Sequence, residues 1–419
     1  MPRRPPTTVA RLSCCALAAA ALLAAGCGGD DDARRSGVVG GRTLTIYSSL
    51  PLQGTAGRSG RDLVRAESLA VTDARGRAGR FRVRFISLDN ALPDTGAWDA
   101  GKTSVNARTA VRDPTTIAYV GDAPAEATAI SLPILNEAGI LQVSPTTTYV
   151  GFTRAEGADA GEPDRYYPFG QRTFARVIPT DHGQAAALAR LMRDDDCGDV
   201  HIVDNAQPDL HAIAPAVERA AASAELDVVA ADRLGDGSES LRTFADRVAR
   251  LDADCLYVGA TDTPRAAAAL VQAVHRARPS THVFASADLA VPAFLDGIGA
   301  AGEDVVRVTS PLLPDSAQPR AAQRFLRAFA ARYGHPPAPE AIYGYEAVKA
   351  ILVAVDDAGD VGNDRAEVVA RFLGIADRRS VLGTYDIDDD GDTTLSAYGV
   401  YSVRGGRLIF DRVVRASAG

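Results

Sequence analysis

From Leu44 onward the apolar residues fall into two alternating kinds of stretch. Short β-branched runs at 44–50 (LTIYSSL), 82–89 (RVRFISLD), 116–122 (TIAYVGD) and 140–144 (ILQVS) are separated by alanine-rich segments with helical periodicity near 60–74, 99–112 and 126–138. The first pattern predicts buried strands and the second predicts the helices that cover them. Strands that each need a helical crossover pair in parallel through right-handed connections, which gives a sheet covered on both faces. The pattern stops between 151 and 172, where GFTRAEGADAGEPDRYYPFGQR is rich in Gly, Pro and charge and has no period. That composition predicts a surface excursion or part of a linker.

A second alternating series follows, with strands predicted at 200–204, 226–232, 255–259, 282–286 and 305–310 and helices around 209–224, 240–252, 263–278 and 291–297. The final part of the chain changes character again. Helices are predicted near 319–333, 340–357 and 365–375, followed by β-hairpin material in 381–414. The fold class is therefore α/β, with two sheets of similar size in tandem.

Length and composition agree with this division. A chain of 419 residues exceeds what one small core uses, and 46% apolar with 23% charged residues describes a folded protein. The net charge of -8 offers no broad basic surface, so nucleic acid is not an expected partner. Lys102 and Lys349 are the only lysines.

The N-terminus carries an address. Arg3, Arg4 and Arg11 precede an apolar stretch, 16–25, that is too short for a permanent membrane helix and fits the core of a secretory signal. It ends in LLAAGC, which resembles the lipobox of bacterial lipoproteins, with Ala24 where leucine is commonest. The resemblance implies a signal peptide over 1–27 and a diacylglycerol thioether on Cys27. Residues 28–42 are mostly small, polar and glycine-rich and read as a tether. The expected location is the extracytoplasmic face of the membrane, by lipid anchor.

Cys14 and Cys15 leave with the signal, so the folded part keeps Cys197 and Cys255, each just before a strand-like run. A disulfide between them requires neighbouring strands in one sheet, and two buried thiols are the other reading.

Several motifs fail their own physical requirements. GIGAAG, 297–302, matches a dinucleotide loop but follows what looks like the end of a helix instead of a strand, and no cofactor is expected. DIDDDGD, 386–392, starts like a calcium loop, yet position 12 is Ala397 where a bidentate glutamate belongs, so a tight turn is expected and no metal. The six histidines show no metal-ligand spacing, and no G-x-S-x-G elbow occurs, so an enzyme is not expected.

Two loops are better candidates. PLQGTAGRSG, 51–60, follows the first strand and holds Gln53 and Ser59; in an open parallel sheet, ligands lie beyond the carboxyl ends of the strands. Thr146, Thr147 and Thr148 follow the fourth strand and border the same crevice, where hydroxyls and peptide N–H groups can hold a carboxylate. Asp122 and Ala125 follow the third strand.

Taken in order, IYSSLPLQGTAGRSG, DPTTIAYVGD, SLPILNEAGILQVSPTTTYVGFT, AIYGYEAVKAIL and TYDIDDDGDTTLSAYGVYSV resemble the type I periplasmic binding proteins of the leucine/isoleucine/valine group, receptor subunits of ABC importers. The resemblance implies two Rossmann-like lobes, a hinge of three crossings and a ligand cleft between the lobes. One lobe is expected over 43–176 plus 312–378, the other over 177–311 plus 379–416. It also implies that Cys197 and Cys255 introduce adjacent strands.

Site roles carry over by position. Thr147 and Thr148 inherit the ligand α-carboxylate, with Thr146 beside them, and Asp288 the α-ammonium. Ser59 and Ala125 stand where the family has an aromatic residue and a carboxylate-binding serine. Asn205 and Thr261 fall in segments where further aromatic walls are expected. The implied function is import of a small polar solute, an amino acid or amide, delivered to an ABC permease. The same jaw would serve a ligand-sensing receptor, and a secreted enzyme is the reading from another class.

Overall fold

The computed structural model describes residues 37–54, 57–205, 213–234, 241–259 and 263–416, without the side chains of Asn205, Leu234, Leu241 and Asp288. Cys27 and Thr261 lie outside the described residues. The strands are β1 (Thr43–Leu50), β2 (Arg77–Ala78), β3 (Phe81–Asp89), β4 (Thr116–Val120), β5 (Leu141–Ser144), β6 (Phe174–Arg176), β7 (Asp199–Asn205), β8 (Asp227–Leu234), β9 (Cys255–Val258), β10 (His282–Ala285), β11 (Val306–Ser310), β12 (Arg378–Ser380), β13 (Gly383–Tyr385), β14 (Ala397–Arg404) and β15 (Arg407–Arg415). They form a sheet of order β2-β3-β1-β4-β5-β6, a second of order β15-β14-β11-β10-β9-β7-β8, and the β12-β13 pair.

The first sheet is parallel from β3 through β6. Every residue of β4 is buried, which is what a continuous apolar run produces when helices cover both faces. Because side chains alternate, Ile46, Val120 and Val143 join one core while Tyr47 and Tyr119 join another. The helices Gly57–Asp73 and Ala341–Asp357 cover the first of these faces and Ala100–Arg112 with Ala125–Glu137 the second. Helix Ala341–Asp357 is buried around most of its circumference, and its Glu346 is held by Arg378 at 2.6 Å and by the Tyr385 hydroxyl at 2.9 Å.

The second sheet is parallel from β8 through β11 and antiparallel beyond. Ile202 and Tyr257 face helix Asp181–Asp194, whereas Val203, Leu256 and Val258 face helix Pro264–Ala277. Cys255 pairs with Val200 in register, so β9 and β7 are neighbours, and Cys197 and Cys255 form a disulfide with Cα atoms 5.8 Å apart.

The chain passes between the sheets after β6, after β11 and before β14. The last passage comes later than the 378/379 boundary read from sequence. Val381, Leu382, Tyr385, Ile387 and Leu395 all pack with the first core, because the Glu346 carboxylate and the apolar face of its helix hold that segment.

The acidic turn is built as a turn: Ile387 bridges Thr393 and Gly391 has a φ of 96°. Its carboxylates face arginines, with Asp388 and Asp392 on Arg154 and Asp392 also on Arg176. GIGAAG spans the end of helix Pro292–Ile298 and a single 3-10 turn.

Candidate functional site

A cavity of about 690 Å³ opens between the carboxyl ends of the two sheets. On the side of the first sheet its wall is Ala123, Thr146, Thr147, Thr148 and Glu340. On the other side stand Asp181, Gln184, Ser286, Ala287 and Tyr401, and the crossing segment Ser310–Pro314 closes one end. Tyr343 and Tyr401 fasten this crossing from opposite lobes, donating to the carbonyls of Pro311 (2.8 Å) and Leu312 (2.6 Å).

The threonine loop is organised by Ser144, the last residue of β5. Its hydroxyl donates to the Asp122 carbonyl at 3.0 Å and accepts the N–H groups of Thr146 (3.3 Å) and Thr147 (2.9 Å). The Thr146 hydroxyl donates to the Ala123 carbonyl at 3.2 Å, and the Thr147 hydroxyl lies 3.1 Å from the Asp122 carbonyl and 3.3 Å from that of Ala123. The loops after β4 and β5 are thereby sewn together. The chemical consequence is that both residues spend their donors inside the protein. Among the described residues, neither the N–H nor the hydroxyl of Thr148 meets a protein acceptor, so Thr148 is the member of the triplet free to donate into the cavity.

Asp122 is wholly buried behind this loop, accepting from the Asn90 amide at 3.0 Å. Burial pushes its carboxyl up to about 7, with Ser131, Ser49 and Asn90 opposing. It supports the wall and does not line it. Ala125 is likewise buried, as the first residue of helix Ala125–Glu137.

Gln53 is turned to the Asp89 carboxylate, 2.5 Å away, which also accepts the N–H groups of Leu52 (3.0 Å) and Ala91 (2.9 Å). Burial raises the Asp89 carboxyl, but these bonds and nearby Lys102 outweigh it and hold the group below the ordinary carboxylate value. Asp89 thus ties the 51–60 loop to the turn after β3. Gly54 and Gly96 complete the joint. Both have positive φ, 64° and 67°, and a Cβ on Gly96 would stand 2.1 Å from the Gly54 Cα. Only glycine permits backbones this close in that conformation.

This joint sets Trp98, the single tryptophan of the chain, beside Ser59 and Gly60. Together with Pro51, Leu63 and Pro124 they line a second chamber of about 390 Å³. The two chambers share Ala123, Thr146 and Glu340. The Ser59 hydroxyl donates to one Glu340 oxygen at 3.1 Å, so Ser59 enters the site through that carboxylate.

Asn205 ends β7, and Asp288 sits in the short 3-10 turn Ala287–Leu289, whose first residue Ala287 lines the cavity with the flanking Ser286 and Ala290. The structure therefore gathers Thr146, Thr147, Thr148 and Ser59 at the cleft. It places Gln53, Asp122 and Ala125 in the support behind it. Trp98, Glu340 and Asp181 are wall residues that sequence reasoning missed. A lone tryptophan two residues after a glycine was the one signal available for the first. Among the described residues no group of three acidic, histidine or cysteine side chains is arranged to hold a metal.

A family model for periplasmic binding proteins matches residues 43–407. No curated protein matches the chain in sequence. Among solved structures, the leucine binding protein LivK of Thermotoga maritima has a TM-score of 0.66 at 18% identity, over 89% of this chain and 99% of that one. A putative branched-chain amino acid ABC transporter of Rhodospirillum rubrum gives 0.67 at 23% identity, over 88% and 100%. A solute binding protein of an ABC transporter from R. palustris, in complex with benzoate, gives 0.64 at 17% identity, over 90% and 98%. At these identities the shared property is the fold.

Proposed function

The chain belongs to the periplasmic binding protein family, and on that premise we propose that it is an extracytoplasmic, lipid-anchored solute receptor of an ABC importer that takes an amino acid or a related amide. The observation that carries this reading is the cavity of about 690 Å³ with walls from both sheets. A solute touched by one lobe when the jaw is open and by both when it is closed binds the closed form more tightly, and so shifts the population toward closure. That closed shape is what a permease could recognise. A micromolar dissociation constant needs about 8 kcal/mol of net binding, within reach of a few hydrogen bonds and a buried apolar group.

Thermal unfolding with a panel of amino acids, amides, ureas and small carboxylates tests it. A ligand at a hundredfold its dissociation constant adds about 2.7 kcal/mol, so at least one solute is expected to raise Tm by several degrees while being recovered unchanged. A panel that leaves Tm where it was, or a solute that is consumed, counts against the receptor reading.

A further inference from the structure

We infer that the cleft selects an amine or amide with an aromatic or branched apolar end and rejects solutes whose recognition depends on a free carboxylate. The inference rests on the solute-binding reading and narrows it. Three observations carry it. The charged side chains in the described walls of the two chambers are Asp181 and Glu340, and neither wall contains Arg or Lys. The segments outside the description after Ser36 hold no Arg or Lys either: 55–56, 206–212, 235–240, 260–262 and 417–419. Two of the three threonines that would serve a carboxylate have spent their donors, since Thr146 and Thr147 turn their hydroxyls to the carbonyls of residues 122 and 123 and their N–H groups to Ser144.

A carboxylate moved from water into this cleft would meet the Glu340 carboxylate where the chambers join, with only the two donors of Thr148 among the triplet to hold it. Its desolvation would be compensated only in part. A cation or amide N–H group meets the opposite situation. Glu340 stands where the chambers join, at the start of helix Ala341–Asp357, with one oxygen taken by Ser59. A donor placed there turns a half-used carboxylate into a pair. From that point the second chamber runs under Trp98 between Pro51, Leu63 and Pro124, an apolar slot for the other end of the solute. An aromatic face also favours a nearby cation. Trp98 and Glu340 are thus the specificity-determining residues, one for shape and one for charge.

The test uses the full-length chain and four probes: phenylalaninamide, phenylalanine, benzylamine and benzoate. Binding is read by Tm and by the emission of Trp98, the sole tryptophan. Phenylalaninamide and benzylamine are expected to raise Tm and shift the emission, phenylalanine to bind at least tenfold more weakly than its amide, and benzoate to do neither. Glu340→Gln is expected to weaken phenylalaninamide by tenfold or more, with the emission shift retained at saturation because the ring still lies under Trp98. Phenylalanine equal to or tighter than the amide, binding of benzoate, or a Glu340→Gln variant of unchanged affinity overturns the inference and leaves the receptor reading standing. Silence from all four probes while another panel solute stabilises the protein also overturns the inference alone. Silence from the whole panel removes both.

Discussion

Arg176→Met is expected to destabilise the folded protein by about 3–5 kcal/mol, the range for breaking a buried ion pair from one side. Arg176 is fully buried at the end of β6. Its Nε stands 2.8 Å from the buried carboxylate of Asp392. One terminal nitrogen donates to the carbonyls of Thr147 (3.1 Å) and Tyr149 (2.6 Å), and the other to the Thr153 hydroxyl at 2.8 Å. One guanidinium therefore pairs with an acid in the last crossing and fixes the backbone of the loop that walls the cleft. Methionine keeps an apolar stem and removes all of this, together with the guanidinium's place over the Phe174 ring.

Asp392 would retain Arg154 and Thr153 but lose its buried counter-charge. Adding Asp392→Asn to the same chain should recover part of the loss, since the residual cost is the uncompensated carboxylate. Urea unfolding at neutral pH measures both variants. A loss below about 1 kcal/mol for the single change would mean that the site does not depend on this residue as described.

The second large effect is a dependence on pH. Glu67 is fully buried on helix Gly57–Asp73, close against Gly344, and burial pushes its carboxyl up to about 8, the Ser48 hydroxyl opposing. The unfolded chain ionises the same group near its ordinary value of 4.5. Between these two values the folded form keeps a proton that the unfolded form has released, so the contribution of Glu67 to stability falls as pH rises through the window. Each pH unit of the window is worth about 1.4 kcal/mol, so by pH 8 the penalty approaches about 5 kcal/mol.

Glu67→Gln removes the ionisation while keeping the shape. The variant should match the parent near pH 4.5 and exceed it increasingly toward pH 8, by several kcal/mol. Denaturant titrations at the two pH values decide the matter: an equal difference at both would show that Glu67 does not titrate in this way. Asp122 adds a similar dependence with a folded value of about 7, present in both proteins and so absent from their difference.

The strands and helices were legible because most of them bury one full periodicity. TIAYV at 116–120 and the apolar run within 341–357 could hardly be anything but an inner strand and a core helix. Besides the short strands β2 and β12, β6 and helix Asp181–Asp194 were passed over. β6 has only three residues and follows an aperiodic excursion, so no alternation could develop. Helix Asp181–Asp194 opens with DHGQ, whose polar residues hide the apolar face that follows until the turn is capped by Thr180.

The site was legible to the extent that it lies at strand ends. The row of threonines is where a parallel sheet puts its ligands, and it does line the cleft. What could not be read was which donors remain free. That depends on Ser144 and on two carbonyls more than twenty residues away, contacts with no local pattern. Trp98 enters through a glycine–glycine contact between turns, and Glu340 through the start of a helix nearly three hundred residues from Ser59. Such residues are placed by tertiary geometry and have no periodicity of their own.

The central claim is that one solute is gripped by both lobes and draws them together. Solution X-ray scattering of the purified protein, alone and saturated with a solute that raises its Tm, tests this most directly. The radius of gyration should decrease on saturation, and the decrease should vanish when the solute is dialysed away. A stabilising solute that leaves the scattering curve superimposable on that of the free protein would contradict it.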